Sequence, residues 1–162
     1  MPTESAGEPP VGPAEFLMRR FPGEPGVFDF AKKFPRQAIF LPDSFDRGAL
    51  SLYREGADNP YPSAATLLTA ATNIGVRERG GVAAVLAAAV FELGLRAEPS
   101  VGTLSGHIGI EQMSREKYDG SADGKRRIKQ LADGLIRLAA EDPPRLHIRV
   151  PPKPRDAVPP PH

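Results

Sequence analysis

The clearest periodicity in the chain lies between residues 122 and 150. Residues 122–140 place apolar side chains at helical spacing, with charged side chains on the opposite side. This pattern predicts an amphipathic helix that ends at Pro143-Pro144. Residues 145–150 alternate between polar and apolar side chains, which is typical of a strand with one buried face. We therefore expect a long helix followed by a strand.

Two shorter apolar runs predict a hairpin. Residues 49–54 alternate so that Ser51 and Tyr53 share one face and two leucines share the other, which favours a strand. Residues 37–41 form a second apolar run, and the connecting residues 42–48 are turn-like. Together these segments predict an antiparallel pair of strands.

A helix is predicted at residues 63–72. Ser63 can accept hydrogen bonds from the exposed amides of a first turn, and the apolar residues that follow share one face. Asn73 and Gly75 mark the end of this helix.

Residues 81–93 fit two structures. Their alanine content favours one continuous helix, whereas their valines favour a strand. We predict a strand at 81–86 and a short helix at 87–93 that stops at Gly94, followed by a strand at 95–98.

Proline is abundant, with 19 in 162 residues, and it is concentrated in residues 1–13 and 151–162. Such segments bury too little apolar surface to offset the entropy lost on ordering, so we expect two disordered tails.

Residues 14–34 carry several phenylalanines between proline and glycine breaks. We interpret them as an arm that either lies on the core or docks on a partner. Residues 35–150 are expected to form a single α+β domain, in which a small, mostly antiparallel sheet of about four to five strands packs with two main helices.

Composition and charge exclude several functions. Lys and Arg total 21 against 20 Asp and Glu, so the overall charge does not favour nucleic acid or an anionic membrane. The absence of cysteine and the presence of only three histidines exclude thiolate chemistry and argue against a metal site. There is no apolar run of roughly 20 residues and no signal-peptide pattern. We expect a cytoplasmic protein that binds no cofactor and has no membrane partner.

Arg54, His107 and Glu111 are the candidate catalytic residues. Glycines flank His107 and let a ligand approach closely, and Glu111 could orient its imidazole. Arg54 ends a predicted strand, which resembles the dinucleotide-binding arginine of ADP-ribosyltransferases. That resemblance implies a small toxin-like or nucleotide-processing enzyme in which Ser63 and Glu111 complete the site, although the Ser-Thr-Ser and Glu-x-Glu strings are missing. In the alternative interpretation, Arg54 is a solvated strand-end residue and His107 lies in a glycine-rich turn.

The candidate binding residues form two groups. The first is Ser51, Arg54 and His107. The second is the basic cluster Lys125, Arg126 and Lys129, which lies at the start of the predicted long helix, the unfavourable end for cations. Nucleic acid or an acidic partner could explain this position, and a solvated helix face is the alternative.

Several short motifs follow one another in a distinctive order. They are Leu50-Ser51-x-x-Arg54, the Leu93-Gly94-Leu95 turn, Pro99 followed by Gly106-His107, and a late Leu-rich helix with Lys129 and Leu131. Over about residues 36–150 this order resembles a group of small uncharacterised bacterial domains from multi-gene conflict or defence loci, a group that implies no particular activity. The sequence also lacks a metal set, a nucleophile arrangement and a cofactor loop. We interpret the chain as a non-catalytic protein-interaction or accessory module of a bacterial multi-protein system, rather than an enzyme. Its oligomeric state does not follow from the sequence.

Overall fold

Eight β-strands and four α-helices make up the part of the chain that the computed structural model describes, residues 8–70, 80–100 and 105–153. The strands are β1 (Phe16–Phe21), β2 (Phe28–Asp29), β3 (Phe34–Pro35), β4 (Leu50–Arg54), β5 (Gly81–Leu86), β6 (Glu98–Pro99), β7 (His107–Ile110) and β8 (Leu146–Val150). The helices are α1 (Ala64–Thr69), α2 (Ala87–Glu92), α3 (Arg115–Gly120) and α4 (Ala122–Arg137). Short 3-10 turns lie at Gln37–Phe40, Glu111–Met113 and Leu138–Ala140. Within these ranges no helix combines the length and the apolar character that a bilayer crossing requires.

Six strands form one antiparallel sheet in the order β6-β7-β4-β1-β5-β8, and β2 and β3 pair separately. The α+β class expected from the sequence is confirmed. The main sheet has six strands rather than four to five, because β1 and β7 join the strands that the local pattern indicates.

Strand β1 lies in the interior of the sheet, although it belongs to the segment 14–34 that the sequence assigns to an arm. All six of its residues pair with β5, and part of it also pairs with β4. The domain therefore begins before the expected boundary at residue 35. The tandem arginines Arg19 and Arg20 interrupt the apolar pattern of this strand, and the burial of Arg19 has no local signal in the sequence.

The strand predicted at 37–41, and with it the hairpin, is wrong. Gln37–Phe40 form a 3-10 turn that buries Ile39 and Phe40. Both edges of β4 are occupied by β1 and β7 instead. A short apolar run fits a buried turn as well as a strand, so the local pattern could not distinguish them.

Two of the predicted helix starts and stops are confirmed. Helix α1 begins after Ser63, whose hydroxyl accepts a hydrogen bond from the Thr66 amide. Its expected end at Asn73 and Gly75 lies outside the described residues. Helix α2 is followed by Gly94, which has a positive φ of 80° that glycine adopts without strain.

The other local predictions differ in outcome. Strand β5 followed by α2 matches the division expected over residues 81–93. The helix expected at 122–140 is present as α4, which ends at Arg137 and continues as the 3-10 turn Leu138–Ala140, and the strand expected at 145–150 is present as β8. The strand expected at 95–98 is shifted, since β6 comprises only Glu98–Pro99.

The sheet buries its two faces unequally. The first face and α4 form the main core, which includes Leu17, Phe21, Leu50, Leu52, Val85, Ile108, Ile110, Ile128, Leu131 and Leu135. The second face carries a smaller cluster with α1, consisting of Met18, Leu67, Val82 and Ala84. Each fully buried leucine or isoleucine contributes about 1.5–3 kcal/mol. Ser51 and Tyr53 of β4 and His107 of β7 also lie on the second face.

Residues 8–15, called here the N-terminal strap, are bound to the end of β4 by Arg54. This side chain is 2% exposed, and its Nε and Nη2 each donate to the Glu15 carboxylate at 2.7 Å. Nη1 and Nη2 also donate to the carbonyls of Pro9 and Pro10, at 2.6 and 3.0 Å. The hydrogen bonds from Arg54 lower the pKa of Glu15. Residues 8–13, expected to belong to a disordered tail, are thus bonded to the domain, while 1–7 and 154–162 lie outside the described residues.

Replacing Glu15 tests how much the strap contributes. Glu15→Ala leaves the buried guanidinium of Arg54 without its carboxylate, so we expect the free energy of unfolding to fall by about 3 kcal/mol, measured by urea denaturation. The control is Glu98→Ala, because the Arg96–Glu98 pair is 67% and 72% exposed and such a pair contributes less than about 1 kcal/mol. Equal losses in both variants would contradict a stabilising role for the strap.

Candidate functional site

The side chain of Arg19 bridges β1 and β4 where these two strands stop pairing. Their backbone pairs are Leu17–Arg54 and Met18–Tyr53. Next to these pairs, Arg19 Nη1 donates to the Ser51 carbonyl at 2.9 Å. Its Nε and Nη2 donate to the carbonyls of Ile39 and Leu41 at 2.6 and 3.1 Å. One buried side chain therefore satisfies three carbonyl groups that would otherwise be costly to bury.

Asp46 completes this network and determines the shape of the loop around it. It is 2% exposed, and its Oδ2 accepts from Arg19 Nη2 and from the Asp43 amide, both at 2.9 Å. Its Oδ1 accepts from the Ser51 amide at 3.1 Å. Burial alone would raise the pKa of Asp46, but the charge and hydrogen bond of Arg19, together with the hydrogen bonds from the Asp43 and Ser51 amides, outweigh burial and lower it. The carboxylate thus stays charged and ties the loop to β1 and β4.

A cavity of about 200 Å³ opens beside this network and is called here the hollow. Its lining residues are Arg19, Arg20, Asp43, Phe45, Asp46, Ser51 and Tyr53. Phe45 contributes to its rim and is 77% exposed. The hollow therefore combines buried charges with one exposed aromatic ring.

A second cleft, of about 470 Å³, shares Asp43 with the hollow. Its lining residues are Asp43, Ser44, Arg47, Arg115, Glu116 and Asp119. Every residue of the loop 43–47 therefore lines one concavity or the other. All residues of this loop except Asp46 are exposed, and an exposed loop flanked by concave surfaces is suited to contact with another macromolecule.

Ser51 and His107 meet on the second face of the sheet, next to the hollow. Ser51 Oγ lies 2.9 Å from His107 Nε2, and the ring centroids of His107 and Tyr53 are 5.0 Å apart. His107 Nδ1 is buried and has no hydrogen-bond partner in the described residues. A buried orphan donor is rarer than a buried orphan acceptor, which favours the neutral tautomer that donates from Nε2 to Ser51 Oγ. The Ser51 hydroxyl then remains able to donate its own proton.

This tautomer argues against a catalytic Ser–His pair. A general base takes the serine proton on a bare ring nitrogen, while a third group holds its other nitrogen. Here Nε2 carries the proton, and within the described residues nothing holds Nδ1. Burial also lowers the pKa of His107, despite the opposing charge of Asp46, so the imidazole is a weaker base. The arrangement is suited to hydrogen bonding rather than to proton transfer.

The structure brings Ser51 and His107 together but separates the three candidate catalytic residues. Arg54 lies on the same side of β4 as the two core leucines. His107 pairs with Tyr53, whose side chain lies on the opposite side. Glu111 is exposed and lies in the 3-10 turn after β7, at the far end of β4 from Arg54. Arg54, His107 and Glu111 therefore do not form one site.

The basic cluster on α4 is exposed and partly neutralised. Arg126 Nη1 donates to Asp123 Oδ1 at 2.7 Å, and Lys125 Nζ lies 5.3 Å from the centroid of the Tyr118 ring. Lys129 is also exposed. Asp123 in the first turn offsets the unfavourable interaction of these cations with the helix dipole. These contacts are those of a solvated helix face and do not themselves indicate nucleic-acid binding.

The described ranges contain no donor set for a metal ion, because no three His, Cys, Asp or Glu side chains there are grouped so that they could hold one.

The sequence did not indicate the residues that shape the hollow, namely Arg19, Arg20, Phe45 and Asp46. The only available signal was the arginine pair inside an apolar run, since charges placed there require partners.

Comparison of the chain with protein families, with curated proteins and with solved structures finds no match in any of the three. Its function is therefore argued from the chemistry of the site itself.

A pH series on His107→Gln tests the buried neutral imidazole. Because the pKa of His107 is lowered from 6.5, the unfolded chain takes up a proton near that pH that the folded chain does not. The wild type should therefore lose stability as the pH falls through about 6.5, and the variant should lose less. Urea midpoints at about pH 7.5 and 5.5 measure the difference. An equal loss in both proteins would show that another group titrates.

Proposed function

We propose that this chain is a non-catalytic protein-interaction module that docks through the loop of residues 43–47. The observation that supports this proposal is the exposure of Phe45, at 77%. It is the one large hydrophobic side chain that is exposed in the described part of the chain. A single exposed apolar residue is common on protein surfaces, so the case depends on how this one is held.

The loop that carries Phe45 is rigidly bonded. Asp46 is tied to Arg19 and to the amides of Asp43 and Ser51, and the Phe45 amide itself donates to Asp43 Oδ1 at 2.8 Å. A loop that is already in its final conformation loses little entropy when a partner binds. These bonds therefore favour a preformed docking surface over an adaptable one.

Phe45 is suited to be the anchor of that surface. Burying a phenylalanine contributes roughly 1.5–3 kcal/mol, and interfaces commonly depend on a few such residues surrounded by polar groups. The hollow and the neighbouring charged cleft supply the polar surroundings. Affinity would come from Phe45, and specificity from the charges around it.

The proposed partner is another protein of a bacterial multi-protein system of the defence or conflict type, acting in the cytoplasm. This choice is supported by the order of motifs from Leu50 to Leu131, which resembles domains from such loci. The alternative, an ADP-ribosyltransferase-like or other nucleotide-processing enzyme, lacks support from the geometry, because Arg54 is bonded to the strap and does not share a site with His107 and Glu111.

Phe45→Ser tests the docking loop. The full chain would be tagged and co-expressed with the products of its neighbouring genes, and retained protein would be quantified by mass spectrometry. We expect the wild type to retain a neighbouring product and the variant to retain it at least tenfold less, because losing an interface anchor costs about 2 kcal/mol or more.

Gln130→Ser is the matched control, since it changes an exposed, uncharged residue of α4 that lines neither the hollow nor the charged cleft. It should retain the partner as the wild type does. Retention by Phe45→Ser at the wild-type level, or failure of every neighbouring product to bind the wild type, would refute the proposal.

A further inference from the structure

Arg20 is a half-buried cation with no acidic partner among the described residues. Its one hydrogen bond there runs from Nη1 to the Leu67 carbonyl at 3.3 Å. Arg19 and Arg54, by contrast, each donate to a carboxylate and to several carbonyls. Withdrawing a charge from water without an opposite charge is unfavourable, and burial accordingly lowers the pKa of Arg20. Among the described residues, Arg19 and Arg54 each have an acidic partner and Arg20 has none within 4 Å.

The neutral polar groups near Arg20 can act as donors. The Ser51 hydroxyl accepts from His107 in the favoured tautomer and keeps its own proton available. Tyr53 also lines the hollow, and burial raises the pKa of its phenol, which therefore remains protonated. A cation with neighbouring hydroxyl donors is the arrangement that binds a carboxylate or another anion.

The two acidic residues of the hollow, Asp43 and Asp46, already accept hydrogen bonds from other groups of the chain. Asp46 accepts from Arg19 and from two backbone amides. Asp43 is 60% exposed and lies with one oxygen 3.9 Å from Arg19 Nη2, and its Oδ1 accepts from the Phe45 amide. Neither carboxylate lies within 4 Å of Arg20 in an ion pair. The charge of Asp43 favours the Arg20 cation from a greater distance, but burial outweighs it and the pKa of Arg20 is lowered. In the described part of the chain, Arg20 therefore has no ion-pair partner, and its charge is available to a ligand.

The size of the hollow restricts what that ligand can be. At about 200 Å³ it is smaller than the roughly 300–1,000 Å³ of sites that enclose a whole small molecule. It can hold one side chain, and Phe45 at the rim offers an apolar contact beside it.

We propose that the hollow receives an aspartate or glutamate side chain of a protein partner, which pairs with Arg20 while a neighbouring apolar residue of the partner packs on Phe45. This inference rests on the proposed docking function and names the chemistry that the partner must present. It predicts an acidic residue next to an apolar one in the segment that binds.

A phage-displayed library of random 12-residue peptides, selected on the immobilised full chain, tests this pairing. We expect the selected peptides to be enriched in Asp or Glu beside an apolar residue. Their affinity should fall at least tenfold in Arg20→Gln, fall less in Arg20→Lys, and stay within threefold in Arg36→Gln. Arg36 is the matched control because its side chain is 52% exposed and lies at 3.4 Å from Asp29, away from the hollow.

The outcomes separate this inference from the proposed function. Peptides that need Phe45 but bind Arg20→Gln as tightly as the wild type, or that show no acidic enrichment, would overturn the pairing and leave the docking loop intact. A library that yields no binder sensitive to Phe45→Ser would overturn both. Stability gives an independent check: Arg20→Gln should keep or raise the urea midpoint, because it removes a half-buried charge that has no acidic partner in the described ranges. A marked fall would show that Arg20 already has a counter-ion.

Discussion

The ion pair between Arg19 and Asp46 is the interaction on which the candidate site depends. Arg19 reaches from β1 to carbonyls on β4 and on the 3-10 turn, and Asp46 holds the amides of the loop that follows that turn. The two side chains thus connect four separate parts of the chain. Without them the buried carbonyls and amides would lack these partners, and the loop carrying Phe45 would lose its side-chain bonds to β1 and β4.

The three arginines of β1 and β4 illustrate how burial separates structural from functional charges. Arg19 and Arg54 are buried, and each donates four hydrogen bonds within the chain, one or more of them to a carboxylate. Each therefore holds a segment in place. Arg20 follows Arg19 directly, so its side chain points to the opposite face, where only one carbonyl accepts from it in the described structure. Arginine therefore serves in one case to hold segments of the chain together and in the other to face a ligand. Only the surroundings of each side chain distinguish the two roles.

The local pattern of the sequence was sufficient to predict those helices and strands that are specified by their own residues. Helix α1 has its capping serine, α4 has its apolar stripe, and β8 alternates, so all three could be predicted. Strand β1 and the turn at Gln37–Phe40 could not, because the burial of Arg19 depends on acceptors far away in the sequence. Ser51 and His107 could be singled out from the alternation and the flanking glycines. The exposure of Phe45, and the absence of an acidic partner for Arg20 within the part of the chain that the structure describes, are properties of the assembled surface, which no short motif encodes.

The position of β1 in the sheet also bears on how the protein is synthesised. This strand leaves the ribosome before either of its neighbours, since β4 begins at Leu50 and β5 at Gly81. A nascent apolar strand without its partners is a hazard for aggregation. The adjacent charges of Arg19 and Arg20 repel other copies of the same segment during that interval, as charged gatekeeper residues do. The residues that later hold the loop and face the hollow can thus also protect the unfinished chain.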